Sequence, residues 1–486
     1  MKIGVIGGGT AGLVAALILK QSYPKFSVSI VKSKKIGTIG VGEGTTEHWQ
    51  EFMNYVGIPH HELIAHCDAT YKSGIMFENW SNHDYLHSVE NHFVDKYNDI
   101  NFIYAYQASN NCLPKELVSK IALDSKVNLI PDLKENITSS PTAQYHFNTE
   151  KLNKYLSTVC SQKNIPIIND EIEDIILDED GNIEKIVGND SSYNYDFFID
   201  CTGFKRLLIS KLGAKWNSYS KYLKMNSAIV FQTENRDYPM WTTARAMDYG
   251  WMFRIPVWNR TGNGYIYDSE YINETQAQQE VEQYLGQSVE IRKKLTFDPG
   301  ALDRSWINNC CAIGLSANFV EPLEASSIGT SIQQSFLLAS KIFSYSDQTI
   351  DQYNTEVSEI MNNILDFISL HYITKRTDTE FWRDVKDLPL PPGLTKKLAL
   401  WKNRMPIDSE CQTSSGRSLF LSANFFIVMY ALELIDKSAL KSQLMNLPEN
   451  IIAYAKDRVE EIDHISSNGN SIHHETMLSL IRDICQ

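Results

Sequence analysis

The first twenty residues constrain the fold of this 486-residue chain more than any other stretch. The segment Lys2–Ile6 has the composition of a short buried strand. The sequence GGGTAG follows from Gly7 to Gly12, and good helix formers continue to Lys20. This order of strand, G-x-G-x-x-G turn and helix is typical of a dinucleotide site. Gly7 allows the tight turn, Gly9 lets a pyrophosphate approach the backbone, and Gly12 lets the helix pack closely on the strand. The pattern predicts a nucleotide at the helix N-terminus, the alternative being a glycine-rich turn of another α/β protein.

Composition limits the classes of partner. The formal net charge of −14 disfavours nucleic acid or an anionic membrane as the main partner. Eight cysteines without a C-x-x-C pair predict reduced thiols in a cytoplasmic protein, and neither a zinc ribbon nor a disulfide framework. The apolar stretch 420–435 is interrupted by Ser422, Asn424 and Glu433, so no membrane span is expected.

Two features after the first helix bear on the nucleotide site. The segment Ser27–Val31 alternates as a second strand and is followed by Lys32, where a ribose-binding acid is usual in Rossmann folds. This departure weakens the expected ribose contact and leaves the phosphate argument unchanged. Three glycines in five residues, from Gly40 to Gly44, then predict backbone held against a ligand, with an ordinary flexible loop as the alternative.

Two later strand ends lead back to the same site. The segment Tyr195–Asp200 is predicted to be a buried strand, and small residues follow it as far as Gly203. The segment Cys310–Gly314 is predicted to be another buried strand, followed by a small-residue loop and a helix over residues 330–343. Small-residue turns at strand ends are where α/β sheets bring backbone to a ligand, and a second helix start adds a second anion-friendly position.

Two strand predictions concern the segments between these motifs. Residues 69–77 have the pattern of one strand with a single lysine, Lys72, and a lone lysine in such a run is usually an edge or snorkelling residue. Residues 222–267 are rich in aromatic and β-branched residues and predict an antiparallel sheet. Alternation places Trp251, Phe253 and Ile255 on one face of that sheet, with an ordinary packed sheet face as the alternative. The polar segment that contains His83, His87 and His92 lacks a metal-ligand pattern, so no metal site is expected there. 

The ordered motifs of residues 1 to about 382 resemble the flavin-dependent halogenases of the tryptophan halogenase family. Besides the glycine-rich turn, the matching motifs are GVGEGT at Gly40–Thr45, YKSG at Tyr71–Gly74, YHF at Tyr145–Phe147, DCTGF at Asp200–Phe204, GWMFRIP at Gly250–Pro256, GYIY at Gly264–Tyr267, GLS at Gly314–Ser316, EPLE at Glu321–Glu324, HY at His371–Tyr372 and FW at Phe381–Trp382. Several of these motifs are specific, and their common order carries the resemblance.

The resemblance implies an α/β fold. Its centre is an FAD-binding box of the flavoprotein hydroxylase type, in which a Rossmann-like βαβ unit is combined with an antiparallel substrate-side sheet. We expect residues 1–330 to form this FAD-binding box, with the antiparallel sheet inserted at about residues 222–267. Residues 331–486 are then expected to form a mainly helical lobe on the substrate side.

The resemblance also implies a reaction. Reduced FAD, supplied by a separate flavin reductase, would use O₂ and halide to form hypohalous acid, which passes through a tunnel to a small aromatic or heteroaromatic substrate. Lys72 would receive this species by a hydrogen bond or as a haloamine. Glu324 would help to position it or accept the ring proton during electrophilic substitution. Lys72 and Glu324 are therefore the expected catalytic residues.

The other expected site residues follow from the same motif matches. The expected FAD-binding residues are Gly7, Gly9, Thr10, Ala11, Gly12, Gly42, Glu43, Asp200, Gly203, Gly314, Leu315 and Ile328. The halide is expected at Ser326 and Ser327. The segment that keeps substrate away from the flavin is expected at Trp251, Phe253, Ile255 and Pro256.

Departures from the family pattern modify these expectations. Phe253 replaces the second tryptophan of the W-x-W-x-I-P motif and keeps most of its bulk. Ser327 replaces a usual glycine beside the halide, which predicts an altered halide choice. The helical lobe lacks the tryptophan-rich segment of the free-tryptophan enzymes, which disfavours free tryptophan as the substrate.

Two other functions share these motifs. An FAD-dependent aromatic hydroxylase is the main alternative. Such enzymes usually carry Gly-Asp where this chain has Gly314 followed by Leu315, which favours the halogenase. A flavin-binding protein without catalysis is the third reading, and the presence of both Lys72 and Glu324 argues against it.

Overall fold

A computed structural model describes residues 1–35, 37, 43–88, 100–110, 112–113, 123–124, 126–128, 144–235, 237–468 and 471–485. Gly42, one of the expected FAD-binding residues, lies outside the described residues. Glu43 and Gly44, which follow it in the predicted ligand loop, are described.

Short strands are spread over most of the chain. They are β1 (Lys2–Ile6), β2 (Ser27–Lys32), β3 (Glu43–Gly44), β4 (Thr70–Lys72), β5 (Gly74–Glu78), β6 (Tyr85–Ser88), β7 (Lys126–Asn128), β8 (Gln144–Phe147), β9 (Ile167–Asn169), β10 (Ile172–Leu177), β11 (Ile183–Gly188), β12 (Ser192–Tyr193), β13 (Phe197–Asp200), β14 (Trp216–Ser218), β15 (Ser227–Thr233), β16 (Trp241–Ala246), β17 (Gly250–Val257), β18 (Arg260–Tyr267), β19 (Ile291–Thr296), β20 (Gly300–Leu302), β21 (Trp306–Ile307), β22 (Cys310–Ala312), β23 (Asn318–Phe319) and β24 (Ser471–His473).

Helices dominate the last third of the chain. They are α1 (Thr10–Ser22), α2 (His48–Val56), α3 (His60–His66), α4 (Ile100–Ser109), α5 (Thr149–Gln162), α6 (Leu207–Lys211), α7 (Glu274–Leu285), α8 (Ser326–Lys341), α9 (Asp347–His371), α10 (Glu380–Lys386), α11 (Pro392–Trp401), α12 (Ser422–Ala431), α13 (Lys437–Met445), α14 (Glu449–Asn468) and α15 (His474–Cys485).

A six-stranded sheet forms the Rossmann-like part, in the order β21-β22-β13-β1-β2-β9. β1 lies parallel to both β2 and β13, and β22 and β9 extend the parallel arrangement on either side. The predicted strand Lys2–Ile6 is confirmed. The first helix begins at Thr10, three residues before the predicted Leu13, so that its N-terminus lies within the glycine-rich turn.

A seven-stranded sheet faces this unit, in the order β19-β15-β18-β17-β16-β5-β6. The antiparallel pairings of β15, β16, β17 and β18 confirm the sheet predicted at residues 222–267. The sheet is larger than predicted because β19 extends it at one edge and β5 with β6 at the other. β5 pairs with β16 in parallel, so the complete sheet is mixed.

The single strand predicted over residues 69–77 is wrong, because the chain changes sheets in the middle of it. β4 pairs with β8 in a three-stranded sheet, whereas β5 joins the seven-stranded sheet. Ser73 lies at the break, where its backbone N–H donates to the carbonyl of Met240. Lys72 is the last residue of β4 and therefore lies at the corner between two sheets.

Two large hydrophobic cores hold these layers together. One joins β1, α1, α2 and the buried face of α8, and the other joins the seven-stranded sheet to helices α9 to α13. The helix predicted over residues 330–343 begins at Ser326, so the domain boundary expected after residue 330 falls inside a helix that packs on α1. The α/β fold with a mainly helical C-terminal part is confirmed.

Candidate active site

A cavity of about 900 Å³ extends from the glycine-rich turn after β1 to one face of the seven-stranded sheet. Its volume lies at the upper end of the range for ligand pockets. The expected site residues that line it are Gly7, Gly9, Thr10, Ala11, Glu43, Gly203, Trp251, Phe253, Ile255, Leu315, Ser327 and Ile328. The structure thus brings most of the expected FAD-binding residues to one continuous space.

The three glycines of the turn have different surroundings. Gly7 has a φ of +118°, and an added Cβ would lie 2.1 Å from the carbonyl oxygen of Cys201. At Gly12 an added Cβ would lie 2.0 Å from the carbonyl oxygen of Gly7. Gly9 lines the cavity and has no atom within 4 Å of such a Cβ. Packing therefore requires Gly7 and Gly12, whereas Gly9 leaves open space beside the start of α1.

The Asp200 side chain lies one layer behind the cavity rather than in its lining. Its Oδ1 accepts hydrogen bonds from the backbone N–H and hydroxyl of Thr202 and from the hydroxyl of Ser316. Its Oδ2 accepts from the backbone N–H groups of Leu208 and Ile209, at 2.8 and 3.0 Å. Asp200 thus holds the small-residue loop that reaches the cavity, and both of its carboxylate oxygens accept hydrogen bonds from that loop and the segments next to it.

The second strand-end loop approaches the turn closely. Gly314 has a φ of +70°, and an added Cβ would lie 2.7 Å from the Cβ of Ala11. Gly314 is therefore a packing residue, and the next residue, Leu315, reaches the cavity. Gly203 also has a positive φ but faces open space, like Gly9.

Glu43 and Lys32 are two of the charged residues that line the cavity. Burial raises the pKa of Glu43 to about 7, against the opposing charge of Lys293. At neutral pH this carboxyl therefore exists in both protonation states, so it can donate as well as accept a hydrogen bond. Lys32 packs over Gly8, where an added Cβ would lie 2.4 Å from its Cδ.

The start of α8 forms an anion-friendly position on the same cavity. Ala325 precedes the helix in a left-handed conformation, with a φ of +53°. The hydroxyl of Ser326 is buried and has no hydrogen-bond partner among the described residues. Ser327 and Ile328 line the cavity. The positive dipole end of this 16-residue helix, where the first N–H groups have no acceptor within the helix, therefore borders the cavity.

The far wall of the cavity is formed by β17. Trp251, Phe253 and Ile255 all line the cavity, which fits the alternation predicted for them. Pro256 lies outside the lining, and its carbonyl accepts a 2.7 Å hydrogen bond from the hydroxyl of Thr70 on β4. Phe253 pairs with Gly264 on β18, and its ring covers the position of the missing Cβ.

Sequence reasoning gave no role to Glu321, which holds this wall in place. The carboxylate is buried and accepts a 2.7 Å hydrogen bond from the indole N–H of Trp251 and another from the hydroxyl of Tyr372. Burial raises the pKa of Glu321 to about 7, against the effect of these two hydrogen bonds. Its place in the same short motif as Glu324 was the available signal.

Lys72 lies directly behind the cavity wall. Its side chain is buried, and Nζ donates a 2.6 Å hydrogen bond to the carbonyl of Thr45. A Cβ added to Gly44 would lie 3.5 Å from Cδ and Cε of Lys72 and from the hydroxyl oxygen of Thr242. Gly44 and Thr242 both line the cavity. Burial lowers the pKa of Lys72 to about 8, although nearby carboxylates, Glu324 foremost, act in the opposite direction.

Glu324 is held by two histidines that sequence reasoning did not assign to it. Nδ1 of His87 lies 2.8 Å from Oε2, and Nε2 of His371 lies 2.9 Å from Oε1. All three side chains are buried. Burial alone would raise the pKa of Glu324, but its interactions with His87 and His371 outweigh this effect and bring the pKa to about 2. The carboxylate is therefore charged over the whole physiological pH range.

These surroundings fit FAD. The open space at Gly9 beside the start of α1 suits a pyrophosphate. The apolar part of the lining, which includes Ile255, Leu315 and Ile328, suits a flat ring system. Across the described ranges no group of three or more His, Cys, Asp or Glu side chains could hold a metal ion.

A Rossmann-type sheet that opens into a long cavity is the arrangement of a flavoprotein oxidoreductase. Residues 2–445 match the family model described as tryptophan halogenase, and the chain belongs to that family. This membership confirms the flavin-dependent halogenase class and the FAD cofactor expected from the sequence.

Individual relatives agree with this assignment. The chain is 31% identical to the 7-chloro-L-tryptophan 6-halogenase KtzR of Kutzneria sp. (strain 744), over 83% of this chain and 85% of the relative. It superimposes with a TM-score of 0.86 and 27% identity on Tar14, a tryptophan C-6 flavin-dependent halogenase from taromycin biosynthesis, over 99% of both chains. The tryptophan halogenase of Shewanella frigidimarina NCIMB 400 gives the same TM-score at 26% identity, over 99% of this chain and 98% of that chain.

The part of the chain that the structure describes contains no helix of the length and apolarity that a membrane span requires.

Proposed function

We propose that the protein halogenates an aromatic substrate with hypohalous acid that forms in the FAD cavity and is received by Lys72. One observation carries this proposal. A fully buried lysine lies behind a thin part of the cavity wall, at Gly44 and Thr242, and interacts electrostatically with a buried carboxylate. Direct oxygen transfer from flavin to substrate would not need such a lysine.

The cofactor and halide would meet at the start of α8. When bound, reduced FAD supplies the electrons with which O₂ and halide are converted into hypohalous acid. The halide would lie against the N–H groups at Ser326 and Ser327, where the helix dipole favours an anion. Trp251 and Phe253 would keep the larger aromatic substrate out of this space while leaving room for a small oxidant.

Lys72 and Glu324 would share the proton transfers of the substitution. The ammonium of Lys72 donates a hydrogen bond to the oxygen of hypohalous acid and polarises its bond to the halogen. As the carbon–halogen bond forms and the oxygen–halogen bond breaks, the oxygen takes a proton from Lys72 and leaves as water. The ring carbon loses its proton to Glu324. Transfer of that proton back to Lys72 restores both groups.

The neutral form of Lys72 offers a second route to the same product. Because burial brings its pKa to about 8, part of the population carries an uncharged amine near neutral pH. This amine can take the halogen from hypohalous acid as a haloamine, releasing water. The ring then takes the halogen, and the amine regains a proton by way of Glu324.

Several finer assignments belong to the same proposal. We infer that a separate flavin reductase supplies the reduced FAD and that the protein is cytoplasmic, since all eight cysteines are free thiols. We also assign residues 1–330 to FAD binding and residues 331–486 mainly to the substrate side, with α8 shared between them. The sequence disfavours free tryptophan, so peptide-bound or other indole substrates are the first to be tested.

The test measures halogenated product per reduced flavin consumed, with a partner reductase and with chloride, bromide or no halide. Lys72→Met should bind FAD and consume O₂ normally but give no halogenated product, because the charge and the donors are lost. Glu324→Gln should slow halogenation by about 10²–10⁴-fold. Lys397→Met, which removes a partly buried lysine that pairs with Asp366 in the helical lobe, is the control variant and should halogenate normally.

Two results would contradict the proposal. Wild-type yield from Lys72→Met would exclude the lysine as receiver of the oxidant. A hydroxylated product that forms equally well without halide would identify an aromatic hydroxylase.

A further inference from the structure

The carboxylate of Glu324 is held at both oxygens by a connected set of buried side chains. His87 and His371 contact its two oxygens, as described above. Beyond them, Asn424 of α12 contacts His87 and Tyr85 of β6 contacts His371. These five residues, His87, His371, Asn424, Tyr85 and Glu324, are called the Glu324 clamp here. Its outer members have no place in the proposed function.

Asn424 fixes which nitrogen of His87 carries the proton. The backbone N–H of Leu421 donates a 2.7 Å hydrogen bond to Oδ1 of Asn424, which assigns the orientation of the amide. The amide nitrogen, Nδ2, therefore faces Nε2 of His87 at 3.1 Å. An amide NH₂ group can only donate, so Nε2 of His87 accepts. The ring is then neutral, its proton is on Nδ1, and this N–H points at Oε2 of Glu324.

Tyr85 has the same effect on His371. Nε2 of His371 contacts Oε1 of Glu324 at 2.9 Å without the alignment of a hydrogen bond, and since a carboxylate oxygen can only accept, Nε2 is the ring nitrogen that carries the proton. Nδ1 lies 2.9 Å from the hydroxyl oxygen of Tyr85. Burial lowers the pKa of His371, against its attraction to Glu324, which favours a neutral ring whose Nδ1 accepts from Tyr85. Phe77 stacks on the same imidazole at a centroid distance of 4.5 Å and fixes its plane.

We propose that Asn424 and Tyr85 are positioning residues for halogenation, because each fixes the proton of one histidine on the nitrogen that faces Glu324. The hydrogen bond from His87 to Oε2 and the 2.9 Å contact of His371 with Oε1 then hold the carboxylate in a single orientation, without adding a second positive charge beside Lys72. This inference rests on the proposed role of Glu324. It adds that the base is prepared jointly by Asn424 on α12 of the helical lobe and by Tyr85 on β6 of the seven-stranded sheet.

The clamp has a measurable consequence for pH dependence. The titratable groups that act on Glu324 are Lys72 from β4, Tyr85 and His87 from β6, and His371 from α9. His87 and His371 together hold the pKa of the Glu324 carboxylate low against the effect of burial. If the contact of one histidine is lost, burial raises the pKa of the Glu324 carboxylate. Halogenation should then decrease at the acid end of the pH range.

Histidine tautomers give the most direct test. The ¹⁵N NMR spectrum of the full-length protein labelled in its histidines separates Nδ1–H, Nε2–H and doubly protonated rings, and His87→Gln assigns the relevant signals. We expect His87 as the Nδ1–H tautomer in the wild type. In Asn424→Asp the carboxylate still accepts from Leu421 but now also accepts from Nε2, so His87 should become doubly protonated. An Nε2–H tautomer in the wild type would overturn the inference.

Activity supplies the second test. Asn424→Leu and Tyr85→Phe should each slow halogenation about five- to tenfold, as expected for one lost hydrogen bond, with FAD affinity and substrate KM unchanged. In both variants the acid limb of the curve of product yield against pH should move to higher pH. The matched control is Tyr430→Phe. It removes from α12 a hydroxyl that donates to the carbonyl of Cys112, and it should leave the acid limb of the pH profile in place.

Parallel measurement of Glu324→Gln separates the two possible failures. If Glu324→Gln keeps the wild-type yield, the proposed function of this carboxylate is wrong. If Glu324→Gln loses the yield but neither clamp variant shifts the acid limb, Asn424 and Tyr85 are only structural and the inference is overturned.

Discussion

The backbone N–H of Tyr71 donates a 3.1 Å hydrogen bond to Nε2 of His474, which joins α15 to the strand that carries Lys72. Nδ1 of His474 lies 2.9 Å from the carbonyl oxygen of Tyr238, so its proton is directed there and Nε2 is free to accept. The imidazole is fully buried and also stacks on the ring of Tyr71. A contact between residues 403 positions apart thus fixes the backbone next to the expected catalytic lysine.

Replacing this histidine should weaken the placement of Lys72. His474→Phe leaves the Tyr71 N–H buried without an acceptor, which should destabilise the protein by about 1–3 kcal/mol and lower the product formed per reduced flavin. His474→Gln can accept a hydrogen bond from Tyr71 and donate one to Tyr238, so it should retain part of the stability and part of the product yield that His474→Phe loses. His473→Phe, at the exposed neighbouring position, should change neither quantity. Equal product yields in all three variants would contradict this prediction.

The same histidine predicts a pH effect on stability. Burial lowers the pKa of His474 to about 4, against the hydrogen bond to Tyr238, whereas the unfolded value is about 6.5. Between these values the unfolded chain binds a proton that the folded protein does not. The stabilisation that the buried neutral imidazole of His474 provides is complete above about pH 6.5 and is lost as the pH falls towards 4. Denaturant titrations give the difference in free energy of unfolding between wild type and His474→Gln. This difference should become smaller as the pH falls from about 6.5 to 4.

Gly9→Val should separate FAD binding from folding. The backbone of Gly9 is extended, with a φ of −78°, and an added side chain would meet no protein atom. The variant should therefore fold like the wild type but lose FAD binding, because valine occupies the space beside the start of α1. In Gly12→Val the new side chain collides with the carbonyl of Gly7, so unfolding midpoints should fall sharply. Wild-type FAD affinity of Gly9→Val in a fluorescence titration would contradict the assignment of the pyrophosphate site.

Ser327→Gly should change the choice of halide. The side chain lines the cavity at the start of α8, where the anion is proposed to lie, and its removal enlarges that position. We expect the larger halides to gain in a three-way competition of chloride, bromide and iodide, read by mass spectrometry. Ser340→Gly, near the other end of α8, carries a similar cost in helix propensity and should leave the product ratio unchanged. An unaltered ratio in Ser327→Gly would argue against a halide beside this residue.

Glu321→Gln should remove a pH dependence of stability. The raised folded-state pKa of about 7 means that the folded protein binds a proton that the unfolded chain releases near pH 4.5. The contribution of Glu321 to the free energy of unfolding of the wild type therefore falls as the pH rises from about 4.5 to 7. Relative to wild type, Glu321→Gln should gain about 3 kcal/mol in free energy of unfolding over that interval. Glu290→Gln, whose parent side chain is 83% exposed, should show no such gain.

The parts of the site that lie close together in sequence could be predicted well. The turn from Gly7 to Gly12 and the strand Lys2–Ile6 follow from local backbone requirements, so the sequence alone places them. The change of sheet at Ser73 could not be predicted, because it depends on the carbonyl of Met240, which is distant in sequence. Local pattern carries no information about such a partner.

The same limit explains the missed site residues. His87 was considered only as a metal ligand, and its actual partners lie 237 and 337 residues away, at Glu324 and Asn424. Asn424 entered the sequence analysis only as an interruption of an apolar stretch. A polar residue inside a buried apolar helix needs a hydrogen-bond partner, and this is the signal that could have pointed to a function.

The short turn before α8 has a mechanical consequence. Glu324 and Ser326 are separated by Ala325 alone, so their Cα atoms are at most about 7 Å apart. Leu323, on one side of this turn, belongs to the core of the helical lobe, whereas Ile328, on the other side, belongs to the core around α1. The turn therefore joins the two hydrophobic cores, and its length alone sets an upper limit on the distance between the anion position and the base.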